Sequence, residues 1–368
     1  MVKLRSHGKS TWSGPIDARS ISLLESTGLY HLRDCSLPQH NNPLIEAFIG
    51  RWQLDTNTFH MPFGEMTITL HDMHYIMHFP VSGHRPNTNM DKAQAIEEGV
   101  MVFGIDDALM EQWWYGGGPR LDQLDVMYGN NPTFPPEFRV RAYISYLLGK
   151  LLFVDKSGSK VKPDFFPLLE YIDQIHEYSW GSATLAFLYR QLGMASRAGA
   201  AQICGCLTLL DCWIHEYFLC FRPPMVNAHV PGEPWCKRWQ VTHHIPKDED
   251  IVVEYRRRLD SMRASDVNWT PFGLNVARDV DKTVHHRTIR WMDTVEPYMP
   301  DRALRQFGFV KRERKLASYK FDYEPGNQLW SIPSCICLIE IIMVVWRLQL
   351  GSQTSVICHG ISTVPTLV

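Results

Sequence analysis

Three things are missing from this 368-residue chain: a C-x-x-C pair among its nine cysteines, a long apolar run free of charge, and a surplus of either charge sign. Without the first, zinc-ribbon and thioredoxin-type spacings are excluded. An odd number of cysteines scattered through apolar stretches fits a reducing compartment better than a disulfide framework. The second absence concerns membranes. The most apolar segment, SIPSCICLIEIIMVVWRLQLG from Ser331 to Gly351, has Glu340 near its middle and reads as a buried helix or strand, so no membrane partner is expected. Thirdly, 37 Lys plus Arg stand against 39 Asp plus Glu, so any attraction to nucleic acid or anionic lipid must be local. The start, MVKLRSHGKSTWSG, has no apolar run behind its basic residues, and no secretory signal is expected.

Catalytic signatures are missing too. WGSATL around Ser182 lacks the G-x-S-x-G elbow, and Ser182 reads as a helix cap. WWYGGGPR, from Trp113 to Arg120, is glycine-rich but lacks the lysine and hydroxyl of a phosphate-binding loop, so it reads as a flexible turn beside an aromatic anchor. A Schiff-base cofactor needs a lysine with an acidic partner, and only Lys150 suggests itself; its ammonium is expected to reach the surface from a buried stem. Clustered Asp, His and Asn ligands of a metallophosphatase are not seen. No catalytic residue and no cofactor are expected, and an enzyme of unrecognised fold is the least favoured alternative.

What is present is an ordinary globular composition, 45% hydrophobic and 21% charged, with twelve tryptophans that need large apolar surfaces. No fixed-period repeat or low-complexity block interrupts it. Residues 1–20 read as a flexible tail. Thr58–Met61, the turn formers PFGE and Met66–Thr69 read as a β-hairpin with Gly64 in the turn. Thr69 and Asp72 then open a short helix that ends before Pro80. Helical spacing follows over 138–153, with two apolar stripes and little polar face; around Leu185, Leu188 and Leu192, closed by Gly193; and over 200–218, stopped by Pro223 and Pro224. Further helices are expected over 250–262, 287–296 and after Pro300. Segments 86–95, 116–136 and 222–248 read as long connections, either candidate binding loops or mobile insertions. The fold class is mostly α: a multi-helix globular domain with a small β-hairpin near residues 58–69.

Four groups of residues invite a function. His71, His74 and His78 recur at spacings of three and four and are weak metal candidates, with a polar helix face as the simpler reading. Cys204, Cys206, Cys212 and Cys220 read as small buried hydrophobes on one helix. Arg256, Arg257 and Arg258, with Lys311, Arg312, Arg314 and Lys315, form a basic patch suited to a nuclear signal or to phosphate contacts, diluted by Glu254 and Glu313. Trp113, Trp114, Tyr115, Trp235 and Trp239 are candidate docking aromatics for a protein partner.

Four stretches taken together resemble the plant mobile domain family, the maintenance-of-meristems-like proteins sometimes labelled aminotransferase-like. They are DTNTFHMPFGEMTITLHDMHYIMHFPVSG (55–83), FRVRAYISYLLGKLLFVDKSGSKV (138–161), EYSWGSATLAFLYRQLGMASRAGAAQICGCLTLLDCWIHEYF (177–218) and YMPDRALRQFGF (298–309). They fall in the family's order across residues 21–322. His71, His74 and His78 stand where relatives look more apolar. Residues 323–368 read as a divergent C-terminal segment, expected to reflect a truncated or misread gene. The resemblance implies a nuclear protein, with the cytoplasm as a second location, that serves meristem maintenance and transposon silencing beside a serine/threonine phosphatase-like partner. It supplies no catalytic residues. A non-catalytic interaction domain is therefore expected. Direct nucleic-acid binding is the alternative, with the hairpin and helix of 58–79 as a wing and reader and the basic patch on phosphate.

Overall fold

Asp17 ends the expected tail early. Its carboxylate accepts the Ser20 N–H at 2.9 Å, which caps helix α1 (Ala18–Ser26), and it pairs with Arg139 from a later helix. The computed structural model describes residues 12, 14, 17–224, 226–242, 244–245, 250–273 and 287–307. The apolar segment Ser331–Gly351, the divergent stretch 323–368 and the basic run Lys311, Arg312, Arg314 and Lys315 lie outside these.

Helix α2 (Asn42–Ile49) starts from the Asn41 cap and buries Leu44, Ile45, Phe48 and Ile49. The expected hairpin follows as β2 (Thr58–Met61) and β3 (Gly64–Met66), joined by β1 (Trp52–Gln53) in an antiparallel sheet of order β1-β2-β3. Gly64 takes φ +129, a conformation that side chains disfavour. Phe59 sits opposite Trp52 on one side and Met66 on the other, so the sheet has an apolar face. Helix α3 (Leu70–Met77) opens with the expected reciprocal Thr69–Asp72 cap and is closed by His78 in the left-handed region.

All three expected loops hold some regular structure, the last as a 3₁₀ segment, Trp235–Trp239. Asp91 and Gln94 form a second reciprocal cap that starts α4 (Lys92–Phe103), and Asp106 caps α5 (Asp107–Trp113). Next come a two-stranded ribbon, β4 (Trp114–Tyr115) with β5 (Gly118–Pro119), and the short α6 (Leu121–Leu124). The double apolar stripe becomes α7 (Pro136–Leu147), running on as a wider turn through Leu152 and buried on nearly every side, as its sequence demands. After the short α8 (Phe166–Leu169) come the core helices α9 (Trp180–Ala195) and α10 (Leu207–Tyr217), then α11 (Ile251–Ser261).

Several local expectations are corrected. Ser182 is inside the first turn of α9, and its hydroxyl donates to Val81 O at 2.7 Å; Ser179 holds the cap position. Gly193 stays helical because Leu54 packs on it: a Cβ there would lie 2.3 Å from Leu54 Cδ2. Helix α10 begins at Leu207 rather than near Ala200, because Gly205 at φ +92 turns the chain just before it. The expected helix over 287–296 is a hairpin, β6 (Arg287–Trp291) with β7 (Thr294–Tyr298). Its β-branched Thr288, Ile289, Thr294 and Val295 favour extended backbone, and Ile289, Trp291, Glu296 and Tyr298 are buried in alternation. A 3₁₀ segment, Pro300–Phe307, occupies the place of the expected final helix. The described residues are thus mostly α-helical with small antiparallel sheets.

Sheet and helices meet in an aromatic core. Trp213 of α10 stacks on Phe59 at 5.2 Å between ring centres, with Phe48, Phe218 and Tyr217 around it.

Candidate functional site

Helix α10 carries its polar residues into that core. Every residue from Leu207 to Tyr217 is buried, including Asp211, His215 and Glu216. Glu216 is fully enclosed and accepts from Trp239 Nε1 at 2.8 Å and from Arg238 Nη1 at 3.2 Å, with Arg222 at 3.6 Å. Burial pushes its carboxyl up to about 7 against the pull of those cations. Asp72 of α3 is enclosed as well. Thr69 donates to it through both N–H and hydroxyl at 2.7 Å, and Tyr217 of α10 donates at 2.8 Å, while burial pushes it up to about 6. Asp211 Oδ2 lies in hydrogen-bond contact with His40 Nδ1 at 2.6 Å. These groups tie α10 to α3 and to the 34–40 and 222–240 segments. Sequence reading missed His40 and Asp211, although Asp211, His215 and Glu216 inside an apolar helix were a visible signal.

The five docking aromatics divide. Trp113 is 4% and Trp239 2% exposed, so these two are core residues and are removed from the docking set; Trp239 is held by its bond to Glu216. Trp114 and Tyr115 form strand β4, with Tyr115 62% exposed. Lys92 Nζ lies 5.6 Å from the Trp114 ring and Lys160 Nζ 5.9 Å from the Tyr115 ring. The glycines after them differ in purpose. Gly116 turns the chain at φ +61, whereas Gly118 allows a close approach, since a Cβ there would lie 2.1 Å from Val161 O. The turn is therefore a ribbon tip held against residues 159–161 by the bonds Leu121 N–H to Ser159 O and Val161 N–H to Pro119 O, each 2.9 Å. Trp235 is half-buried, stacked on His229 at 4.1 Å.

The histidines regroup. His71 is buried against Tyr75, Phe272 and Phe307. His78 turns out of the helix as its left-handed cap, meeting His31 at 5.0 Å and His74 at 6.0 Å. The triplet His71, His74 and His78 therefore does not converge, and among the described residues no group of three or more His, Cys, Asp or Glu is placed to hold a metal ion. Burial and the charges of His31, His74 and His229 push His78 down to about 4.

Arg256, Arg257 and Arg258 do not form a free basic patch. Arg256 pairs with Glu46 at 3.4 Å, and Arg257 and Arg258 both pair with Glu254. Helix α3, the would-be groove reader, buries Leu70, His71, Asp72, Met73, Ile76 and Met77 and packs on α9 and α10. It has no free face to enter a groove. Of the cysteines, Cys204, Cys206 and Cys212 are buried as expected while Cys220 is exposed, and only Cys212 is on α10 itself. No described helix is long and apolar enough to cross a membrane.

Among the described residues a small open recess, about 370 Å³ with the open solvent at its mouth included, adjoins α10. It lies at the start of α10, where Ser36, His40, Lys150, Cys204, Gly205 and Thr208 contribute to its wall. Lys150, the lysine considered for a Schiff base, donates to Gly158 O at 2.9 Å.

A family model described as "Plant mobile domain" matches residues 28–320. Among curated Arabidopsis thaliana proteins, the chain is 33% identical to Protein MAIN-LIKE 2 over 83% of its own length and 47% of that protein. It is 31% identical to Protein MAINTENANCE OF MERISTEMS over 79% of its length and 62% of that protein. A third relative, named Serine/threonine-protein phosphatase 7 long form homolog, is 30% identical over 82% of the chain and 24% of that protein. The chain thus spans about half to three fifths of the first two. No solved structure gives a significant match.

Proposed function

From its membership of the plant mobile domain family we propose that this chain is a non-catalytic nuclear interaction domain, acting beside a phosphatase-like protein in meristem maintenance and transposon silencing. The observation that carries the reading is a division of labour between polar and aromatic side chains. The buried carboxylates Asp72 and Glu216 face donors from neighbouring segments, as structural ties do. Meanwhile the exposed Tyr115 and the half-buried Trp114 stand on a ribbon tip whose backbone is bonded from behind to residues 159 and 161. Rigid, exposed aromatic rings give large contact area at low entropic cost, the usual make-up of an interface hot spot. The relatives' names support the context: one is named after the maintenance of meristems, and a similar stretch occurs within a protein named as a phosphatase homolog.

The test is affinity capture from plant nuclei with the tagged chain and with a Trp114→Ala, Tyr115→Ala double variant. Recovery of a phosphatase-like protein by the wild type, lost in the double variant, is the expected result. Equal recovery by both would move the interface elsewhere, and recovery of none by the wild type would refute the proposed partnership.

A further inference from the structure

Two of the six free cysteines among the described residues meet across 201 positions of sequence. Cys236 Sγ lies 3.4 Å from Cys35 Sγ, and both side chains are fully enclosed. Cys35 follows the 3₁₀ turn Tyr30–Asp34, and its thiol also donates to His31 O at 3.1 Å. Cys236 is on the 3₁₀ segment Trp235–Trp239. Small buried thiols are ordinary core fillers, so burial by itself assigns nothing. What sets this pair apart is direct contact of sulfur with sulfur between distant segments: a disulfide needs them only to close from 3.4 Å to about 2 Å. Cys206 and Cys212 are also within electrostatic reach of Cys35, which makes them its competing partners.

The Trp235–Trp239 segment is docked by polar ties. Trp239 Nε1 and Arg238 Nη1 reach Glu216, and Gln240 Nε2 donates to Asp34 O and Ser36 O, the two carbonyls flanking Cys35. Burial, and after it the Cys236 thiol, push Cys35 well above the ordinary thiol range, so in the docked state it is protonated and inert. Undocking of the segment wets both sulfurs at once and lets a thiolate form. Redocking brings the sulfurs back into contact, where a bond between them closes.

We propose that Cys35 and Cys236 form a reversible disulfide under hydroperoxide oxidation, locking the Trp235–Trp239 segment onto the stretch around Cys35. The first sulfur to meet hydrogen peroxide attacks one of its oxygens as thiolate; the O–O bond breaks, the departing oxygen leaves as water with the thiol proton, and a sulfenic acid remains. The second sulfur attacks the sulfenic sulfur, the S–S bond forms, the S–O bond breaks and a second water leaves. Two thiols thereby lose two electrons to one peroxide, and a thiol reductant returns them. Transient disulfides of this kind are the redox-sensing form in compartments that otherwise keep thiols reduced. The lock is separate from the β4 aromatics and does not depend on the partner assignment.

The test treats the full chain with hydrogen peroxide at a dose that consumes the exposed Cys220 thiol, then alkylates it with N-ethylmaleimide in denaturant and maps the peptides. A peptide pair joined through Cys35 and Cys236, absent before treatment and removed by dithiothreitol, is expected, with amide exchange over 235–240 slowed about threefold or more in the oxidised chain. Recovery of both cysteines as alkylated thiols overturns the proposal, and so does Cys35 joined to Cys206 or Cys212 instead. The bond with unchanged exchange refutes the lock. The wild-type map decides the bond without any variant; in Cys236→Ser the linked pair and the slowing should both vanish, and slowing that persisted there would trace to another oxidation and remove the lock.

Discussion

Two tryptophan-bearing regions of this molecule, α10 and the β4–β5 ribbon, look alike in composition and behave in opposite ways. On α10, Trp213 is wholly enclosed between Phe59, Phe48, Phe218 and Tyr217, and even the acids of the helix are inside. On the ribbon, Tyr115 is exposed and Trp114 half-buried, and the segment is held by backbone contacts. Where a tryptophan lies in the chain says little about its work; what surrounds it in space decides whether it supports the fold or is free to meet a partner.

The sharpest way to break that contrast is truncation in the enclosed region. Trp213→Ala should lower unfolding free energy by about 3–5 kcal/mol in a denaturant titration, the range for large aromatic deletions in cores. A loss below about 1 kcal/mol would mean the core collapses around the gap and that the two regions differ less than their burial suggests. Glu216→Ala should come next, at about 3 kcal/mol, since it leaves Arg238 and the Trp239 indole without their buried acceptor. Gly118→Ala tests the ribbon's backbone: a Cβ against Val161 O should cost about 1–3 kcal/mol by forcing the ribbon off its support.

Acidity offers a comparison of sign. His78 is held below its ordinary value, so the unfolded chain binds its proton first, and the stability it contributes is lost as pH falls from about 6.5 towards 4. Glu216 is held above its ordinary value, so its contribution is present at low pH and lost as pH rises through about 7. Between pH 7 and pH 5, His78→Asn should therefore lose less stability than the wild type, and Glu216→Gln should lose more. Thermal melts across that window check both signs. The smallest effect belongs to the ribbon tip: Trp114→Ala with Tyr115→Ala should shift stability by no more than about 0.5 kcal/mol while altering partner capture.

Legibility in the sequence followed the range of the physics. The Thr69–Asp72 cap, the Gly64 turn and the double stripe of α7 depend on residues within a turn or two of one another, and all three occur as read. The hairpin over 287–298 was missed because its short apolar pattern suits a helix or a strand equally, and its packing on α9 decides between them. Gly193 was misread for a related reason, since Leu54 lies far away in sequence. The candidate site was less legible still. Trp113 and Trp239 look the same in the sequence as Trp114 and Trp235, and the three arginines look like a cationic patch until Glu46 and Glu254 are placed beside them.

The sequence by itself determined the mostly helical class and the caps and turns, because periodicity, capping and glycine conformations are local properties of the chain, and its resemblance over four stretches pointed to the family. Only the tertiary structure decided which aromatics face outward, which charges are already neutralised and that Thr208, His40 and Lys150 share one recess, because those depend on distances between segments that no spacing along the chain encodes.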